Sequence, residues 1–232
     1  MTSPEHSAFD NRPKLFGRRK GRPLRARKSA LMQEFLPRVR IDLPPGDSML
    51  DPIGLFARAP HKLTLEIGFG GGEHLAALAK DDPTGGLIGC EPFVNGIASM
   101  LQHIDDGRIE NIRVYPGDAR LLLDRLPDAC LSQCFVLFPD PWPKARHAER
   151  RFIGPENLAR LARTLAPGAT LTTATDDAKL IVWTDEMLKN SETVVLEYRA
   201  ETPPAGWIPT RYEQKGLQAG RKPVYYVCRK RM

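Results

Sequence analysis

From Leu63 onward the chain alternates short apolar runs with amphipathic stretches of helical period. Residues 63–67 predict a strand that runs into Gly68-Phe-Gly70-Gly71-Gly72, and residues 73–80 a helix with Leu75, Leu78 and Ala79 on one face. Residues 86–90 predict a second strand closed by Glu91, and 94–104 a second helix. A third strand over 112–115 leads into Gly117-Asp118-Ala119, and a short helix follows over 120–125. Residues 132–138 predict a fourth strand; residues 156–165 predict a helix that Pro167-Gly168 ends. A fifth strand over 169–174, a helix over 179–189 and two late strands over 193–198 and 224–228 complete the set. Strand and helix alternating without a long gap predict a doubly wound α/β domain with a mostly parallel, seven-stranded sheet. The last two strands have no full helix between them and are expected to pair antiparallel at one edge.

The first 46 residues read differently. Residues 1–11 are polar and are expected to be disordered, and residues 12–28 hold nine cations and no acid. Pro13, Gly17, Gly21 and Pro23 discourage a helix there, so the arm is expected to be mobile alone and to order on a phosphate backbone. A short helix is expected over 30–36, and Pro44-Pro45-Gly46 marks a boundary. The expected organisation is a basic arm, 1–46, and a catalytic-type α/β domain, 47–232. The net charge of +6 is split accordingly: +8 over residues 1–40, −8 over 41–205 and +6 over 206–232. Basic ends around an acidic middle suit a polyanionic partner.

Composition narrows the class. With 232 residues, 41% hydrophobic and 27% charged, the chain suits a globular domain plus an appendage. No apolar run approaches the ~20 residues that span a bilayer, and the charged N-terminus has no signal-peptide segment, so no membrane association is expected. Cys90, Cys130, Cys134 and Cys228 form no CxxC pair and read as free thiols of a reducing cytosol, which implies a cytoplasmic protein. Cys130 and Cys134 have no second pair of soft ligands nearby, so no metal site is expected.

The glycine turn has the spacing G-x-G-x-G, whereas nicotinamide and flavin sites need G-x-G-x-x-G. Glu73 at the start of the next helix would repel a pyrophosphate, and Glu66 adds a second negative charge. S-adenosylmethionine has a sulfonium and an ammonium and no phosphate, so an acidic rim suits it. Glu91, at the end of the second strand, is placed to accept from two ribose hydroxyls. Asp118 is placed to accept from the adenine amine, and Ala119 leaves the adenine face uncrowded. Glu66, Gly68, Gly70, Gly72, Glu91, Asp118 and Ala119 are therefore the candidate contacts of this donor.

The fourth strand stops at Phe138-Pro139-Asp140-Pro141-Trp142-Pro143, a turn stiffened by three prolines. In an open α/β sheet ligands bind outside the carboxyl ends of the strands, which puts Asp140 and Trp142 at the mouth of the crevice. Lys144, Arg146, His147, Arg150 and Arg151 follow, a cluster able to hold phosphates.

The run Phe138-Pro-Asp-Pro-Trp-Pro-Lys-Ala-Arg-His147 with Arg150-Arg151 resembles the signature of the bacterial tRNA (guanine-N7-)-methyltransferase family, the TrmB-like proteins. Leu65-Glu-Ile-Gly-Phe-Gly70, Thr175-Asp176, Thr210-Arg-Tyr-Glu213 and the arm Phe16-Gly-Arg-Arg-Lys-Gly-Arg22 resemble its other motifs. The resemblance implies a Rossmann-like, S-adenosylmethionine-dependent methyltransferase that modifies N7 of a guanine in tRNA, at position 46 of the variable loop. It implies that Glu66, Glu91, Asp118 and Asp140 contact the donor and that Asp140 is also the active-site residue. It implies that Lys144, Asp176, Thr210, Arg211, Tyr212 and Glu213 contact the substrate and that the stretch from Arg146 to Arg151 faces RNA. Asp177 follows Asp176 where the family tends to have another residue, which leaves two carboxylates as alternatives for the inward position.

The chemistry is compatible. N7 of guanine has an in-plane lone pair and no proton at neutral pH, so transfer to it needs no general base. Alignment and a carboxylate near the charge that develops on the purine would supply most of the catalysis, and Asp140 is the candidate for that role or for fixing the guanine. Asp176 or Glu213 could accept from guanine N1–H and its exocyclic amine. Trp142 either stacks on a base or packs under the loop. His147 reads as a phosphate or backbone contact rather than a base. The rival readings are a nicotinamide-dependent oxidoreductase and a non-catalytic RNA-binding protein with a vestigial crevice.

Overall fold

A computed structural model describes residue 17 and residues 19–231. The expectations for residues 1–16 and 18 lie outside the described residues.

Seven strands form one sheet in the order β3-β2-β1-β4-β5-β7-β6. These are β1 (Leu63–Ile67), β2 (Gly86–Cys90), β3 (Ile112–Tyr115), β4 (Leu131–Leu137), β5 (Leu165–Thr175), β6 (Val194–Ala200) and β7 (Val224–Lys230). The pairs among β1 to β5 are parallel, and β7 runs antiparallel to both β5 and β6. The predicted doubly wound sheet with an antiparallel edge pair is therefore present. β1 and β2 are buried along their whole length and β4 over its last four residues, as both faces are covered, whereas edge strand β6 alternates.

The helices are α1 (Ala26–Ala30) and α2 (Leu36–Val39), joined by a π-helical turn Leu31–Phe35, then α3 (Glu73–Asp81), α4 (Val94–Gly107), α5 (Ala119–Arg125), α6 (Pro155–Thr164), α7 (Ala178–Lys189) and α8 (Arg211–Gln218). Leu75, Ala76 and Ala79 of α3 pack with Ile97, Met100, Leu101 and Ile104 of α4 on one face. Leu122 and Leu123 of α5 and Leu158, Leu161 and Ala162 of α6 belong to the larger core on the other. The predicted helix over 30–36 is longer than expected, and Leu36, Val39 and Ile41 are buried against the sheet. Arg40 bridges Val114, so this segment covers the β3 edge.

Several element ends shift by a few residues from the sequence reading, and two of the shifts have a visible cause. β5 starts at Leu165 and carries Pro167-Gly168 within it, because the register slips between Leu131↔Leu165 and Gln133↔Thr170 and the extra residues bulge out. β4 ends one residue early, because Phe138 turns into the left-handed region at φ 50° while its N–H still bonds Ala174. The β6–β7 connection, expected to hold no full helix, holds α8, whose start at Thr210 and Glu213 is fixed by a reciprocal capping box.

Candidate active site

The strand order reverses between β1 and β4, which both leave from the middle of the sheet. Crevices open at such switch points. There the structure has a cavity of about 650 Å³.

The first wall is the glycine turn. Gly68, Gly70 and Gly72 all have positive φ, at 74°, 55° and 86°, so each needs glycine. A Cβ on Gly96 of α4 would stand 2.3 Å from the Gly70 carbonyl oxygen, so α4 approaches the turn closely only because residue 96 lacks one. The second wall is acidic: Glu66, Glu73, Glu91, Asp118 and Asp140 all line the cavity. Glu91 is buried and accepts the N–H groups of Gly70 and Phe93, each at 2.9 Å. Burial raises its pKa above the ordinary carboxylate value; those two hydrogen bonds oppose the shift, and the charges of Asp140 and Glu66 add to it. Asp118 caps α5 by accepting from Arg120 N–H at 3.0 Å, and its other oxygen takes Arg120 Nη2 at 2.6 Å. Glu66 is buried and meets His74 Nδ1 at 2.8 Å. Glu73 pairs with Arg211 at 3.7 Å, joining the starts of α3 and α8 at the cavity wall.

The loop after β4 forms the third wall. Asp140 is exposed and Trp142 half-buried, and both line the cavity. Trp142 has φ 43°, and a non-glycine residue in that region is held there by its surroundings. Arg150 lies over the Trp142 ring at 5.3 Å, and His147 meets that ring edge-on at 6.0 Å. Burial and the neighbouring Arg150, Arg146 and Lys144 lower the His147 pKa.

The predicted site residues do not all meet in one place. Glu66, Gly68, Gly70, Glu91, Asp118, Ala119, Asp140, Arg150, Thr210, Arg211 and Tyr212 line the cavity. Gly72 is buried behind the turn, where a Cβ would strike Met100. Lys144 and Arg146 are exposed outside the cavity. Arg151 is turned inward, with its Nε on the Pro141 carbonyl at 3.1 Å. Glu213 is also turned inward: it accepts from Thr210 N–H, Trp207 Nε1 and the Tyr225 hydroxyl, beneath α8 rather than at a surface that a guanine could reach.

Asp176 and Asp177 divide their roles. Asp177 accepts from Lys179 and Leu180 N–H groups as the N-cap of α7. Asp176 pairs with Arg221 at 2.5 Å and accepts from the Tyr212 hydroxyl at 3.5 Å. Both border a smaller hollow of about 160 Å³ that shares Phe138, Pro139 and Tyr212 with the main cavity. The sequence reading missed His74, Gly96, Lys215 and Arg221. Cys90 lines the cavity, but burial, then Glu91 and Asp118, push its thiol pKa well up, so it offers no thiolate at neutral pH.

Comparison with known proteins fits this arrangement. The 16S rRNA methyltransferase KamB matches with a TM-score of 0.57 at 16% identity, covering 74% of this chain and 88% of that one. TrmN from Thermus thermophilus matches with a TM-score of 0.55 at 15% identity, covering 74% of this chain and 45% of that one. The fold is that of the Rossmann-like methyltransferases. A family model described as "Putative methyltransferase" matches residues 60–226. A tRNA (guanine-N(7)-)-methyltransferase of Paramagnetospirillum magneticum is 48% identical, covering 97% of this chain and 96% of the relative. Those of Rhodospirillum rubrum and Rhizobium meliloti are 47% and 44% identical, over 98% and 93% of this chain and 91% and 94% of theirs. The chain belongs to the tRNA (guanine-N(7)-)-methyltransferase family.

Proposed function

We propose that the protein transfers the methyl group of S-adenosyl-L-methionine to N7 of a guanine in tRNA, at position 46 of the variable loop. One observation carries the reading: an acid-lined cavity at the β1/β4 switch point opens beside a proline-stiffened loop, Phe138 to Pro143, that is followed by exposed cations.

The residues fit this donor. Five carboxylates line the cavity, with Gly68 and Gly70 at its turn, which suits a sulfonium and an ammonium and disfavours a pyrophosphate. Glu91 and Asp118 would hold the ribose and adenine, and Glu66 the amino-acid end. When bound, the donor supplies an activated methyl group. Asp140 orients the guanine and offers negative charge where the purine becomes cationic. Asp176, beside Tyr212 and Arg221, stands in for Glu213 as acceptor for the guanine edge, since Glu213 is used up beneath α8. No residue has to remove a proton, which agrees with a lowered His147 and a protonated Cys90.

Lys144, Arg146 and Arg150, with the basic arm, would follow the RNA backbone. A tRNA substrate puts this activity in the cytoplasm, and among the described residues no helix is long and apolar enough to cross a membrane. The reading requires no obligatory protein partner. Incubation with labelled donor and unmodified tRNA, followed by chemical cleavage at 7-methylguanosine, tests it. Cleavage at one variable-loop guanine is expected. Binding of RNA with no label transferred would favour the non-catalytic alternative.

A further inference from the structure

Arg151 follows the cations that face solvent, yet its surroundings differ from theirs. Lys144 and Arg146 are exposed, whereas Arg151 is 9% exposed. Its Nε donates to the Pro141 carbonyl at 3.1 Å and its Nη2 to the Trp142 carbonyl at 3.3 Å. Its guanidinium lies 4.9 Å from the centroid of the Trp183 ring, and Trp183 is itself held by Nε1 on the Ile153 carbonyl at 2.5 Å. The loop that Arg151 grips is short of backbone donors of its own. Pro139, Pro141 and Pro143 supply no N–H donors, and Phe138 and Trp142 sit at φ 50° and 43°. Side chains in that region persist only where neighbours over-determine them.

We propose that Arg151 is a positioning residue of the methyl-transfer site: it clamps the Pro141 and Trp142 carbonyls so that Asp140 and Trp142 face the cavity, and it holds no RNA phosphate. The planar guanidinium reaches two carbonyls at once while its face rests on Trp183, which a lysine ammonium cannot do. Arg150, one residue earlier, lies over the opposite partner, the Trp142 ring, and lines the cavity. The short 3₁₀ segment Ala145–Arg150 ends between them, so consecutive arginines are sent to different places. The inference rests on the functional reading above, because it gives Asp140 its role.

Arg151→Gln and Arg151→Lys are compared with Arg146→Gln and the unaltered protein. Both Arg151 variants are expected to lower kcat about a hundredfold, the usual effect of an ångström-scale misplacement of catalytic groups. They are expected to leave the tRNA Kd and its salt dependence unchanged. Arg146→Gln is expected to flatten the slope of log Kd against log salt by about 0.7–0.9, as one lost phosphate contact does. If Arg151→Gln flattens that slope as Arg146→Gln does, or leaves kcat unaltered, the proposal is overturned. Hydrogen exchange over residues 138–150 gives a readout independent of turnover. Faster exchange in Arg151→Gln supports the clamp, and equal exchange overturns it. Trp183→Leu, which removes the face beneath the guanidinium, is expected to give the same split in weaker form should Arg151→Gln fail to fold. An unaltered protein that transfers no methyl group to tRNA would sink the functional reading, while the exchange comparison would still decide the clamp.

Discussion

Glu91 Oε2 accepts the backbone N–H of Gly70 at 2.9 Å, tying the end of β2 to the glycine turn after β1. The same carboxylate takes the Phe93 N–H with its other oxygen, so its position is set by backbone on both sides. It is also a buried charge among other carboxylates, and its pKa is raised above the ordinary 4.5 by burial first and by Asp140 and Glu66 after it. Between that ordinary value and Glu91's own pKa, the folded protein keeps a proton that the unfolded chain has released. The contribution of this group to stability is therefore fully present below the window and declines as pH rises through it.

A donor whose ribose hydroxyls bind the carboxylate form must release that proton. Its affinity is expected to climb with pH across the same window. Calorimetric titration with S-adenosylhomocysteine from acidic to neutral pH, in buffers of different ionisation enthalpy, measures both the climb and the proton. Glu91→Gln is expected to bind weakly and without the pH dependence. A flat profile in the unaltered protein would show that Glu91 does not meet the ligand as an anion.

Gly96→Ala tests how closely α4 must approach the turn. The added Cβ meets a backbone oxygen at 2.3 Å, so the glycine turn or the helix has to move. Overpacking of this kind costs about 1–3 kcal/mol, and here the strain falls on the glycine turn that lines the cavity. Urea denaturation is expected to show that loss, and donor affinity is expected to fall with it. An unchanged affinity would mean that the turn is rebuilt without consequence.

His74→Phe tests the buried partner of Glu66. Both side chains are 3% exposed, and the phenylalanine ring fills the volume without a polar atom. A buried carboxylate left without its partner is expected to cost about 3 kcal/mol of stability. His74→Asn, which can still donate near the Nδ1 position, is expected to recover part of it. Denaturation midpoints of the two variants decide the matter.

Much of this site was legible because it lies at strand ends. Glu66 sits just inside the end of an apolar run and Glu91, Asp118 and Asp140 just beyond one, and strand ends in a parallel sheet converge on one crevice. The inward or outward sense of a side chain in an irregular segment was not legible. Arg151 and Arg146 have the same chemistry in the same basic run, and packing against Trp183 together with hydrogen bonds to the Pro141 and Trp142 carbonyls separates them. Asp176 and Asp177 are likewise split by which one the first turn of α7 takes as its cap. Glu213 did have a local signal, because Thr210-Arg-Tyr-Glu213 is a capping-box pattern, and such a glutamate is spent on its own helix. Pro167-Gly168 has the pattern of a helix terminator, but a β-bulge accommodates it within β5.

Asp140→Ala is expected to separate chemistry from binding. Asp140 is exposed at the cavity mouth, and among the described residues Gly17 of the basic arm comes near it: a Cβ on Gly17 would lie 3.5 Å from its Oδ2. The arm is held there by α4. Val94 N–H donates to the Arg19 carbonyl, Gly21 N–H donates to Asn95, and the Asn95 amide donates to the Arg22 carbonyl. Loss of a carboxylate facing developing positive charge is expected to lower kcat about 10²–10³-fold, with tRNA affinity retained because the cations are untouched. Deleting residues 1–28 is expected to do the reverse first, weakening tRNA binding and flattening its salt dependence, since nine cations leave with it. Filter binding at several salt concentrations, alongside single-turnover methyl transfer, measures both. If Asp140→Ala loses tRNA affinity as the deletion does, Asp140 serves to hold the arm in place and not the purine.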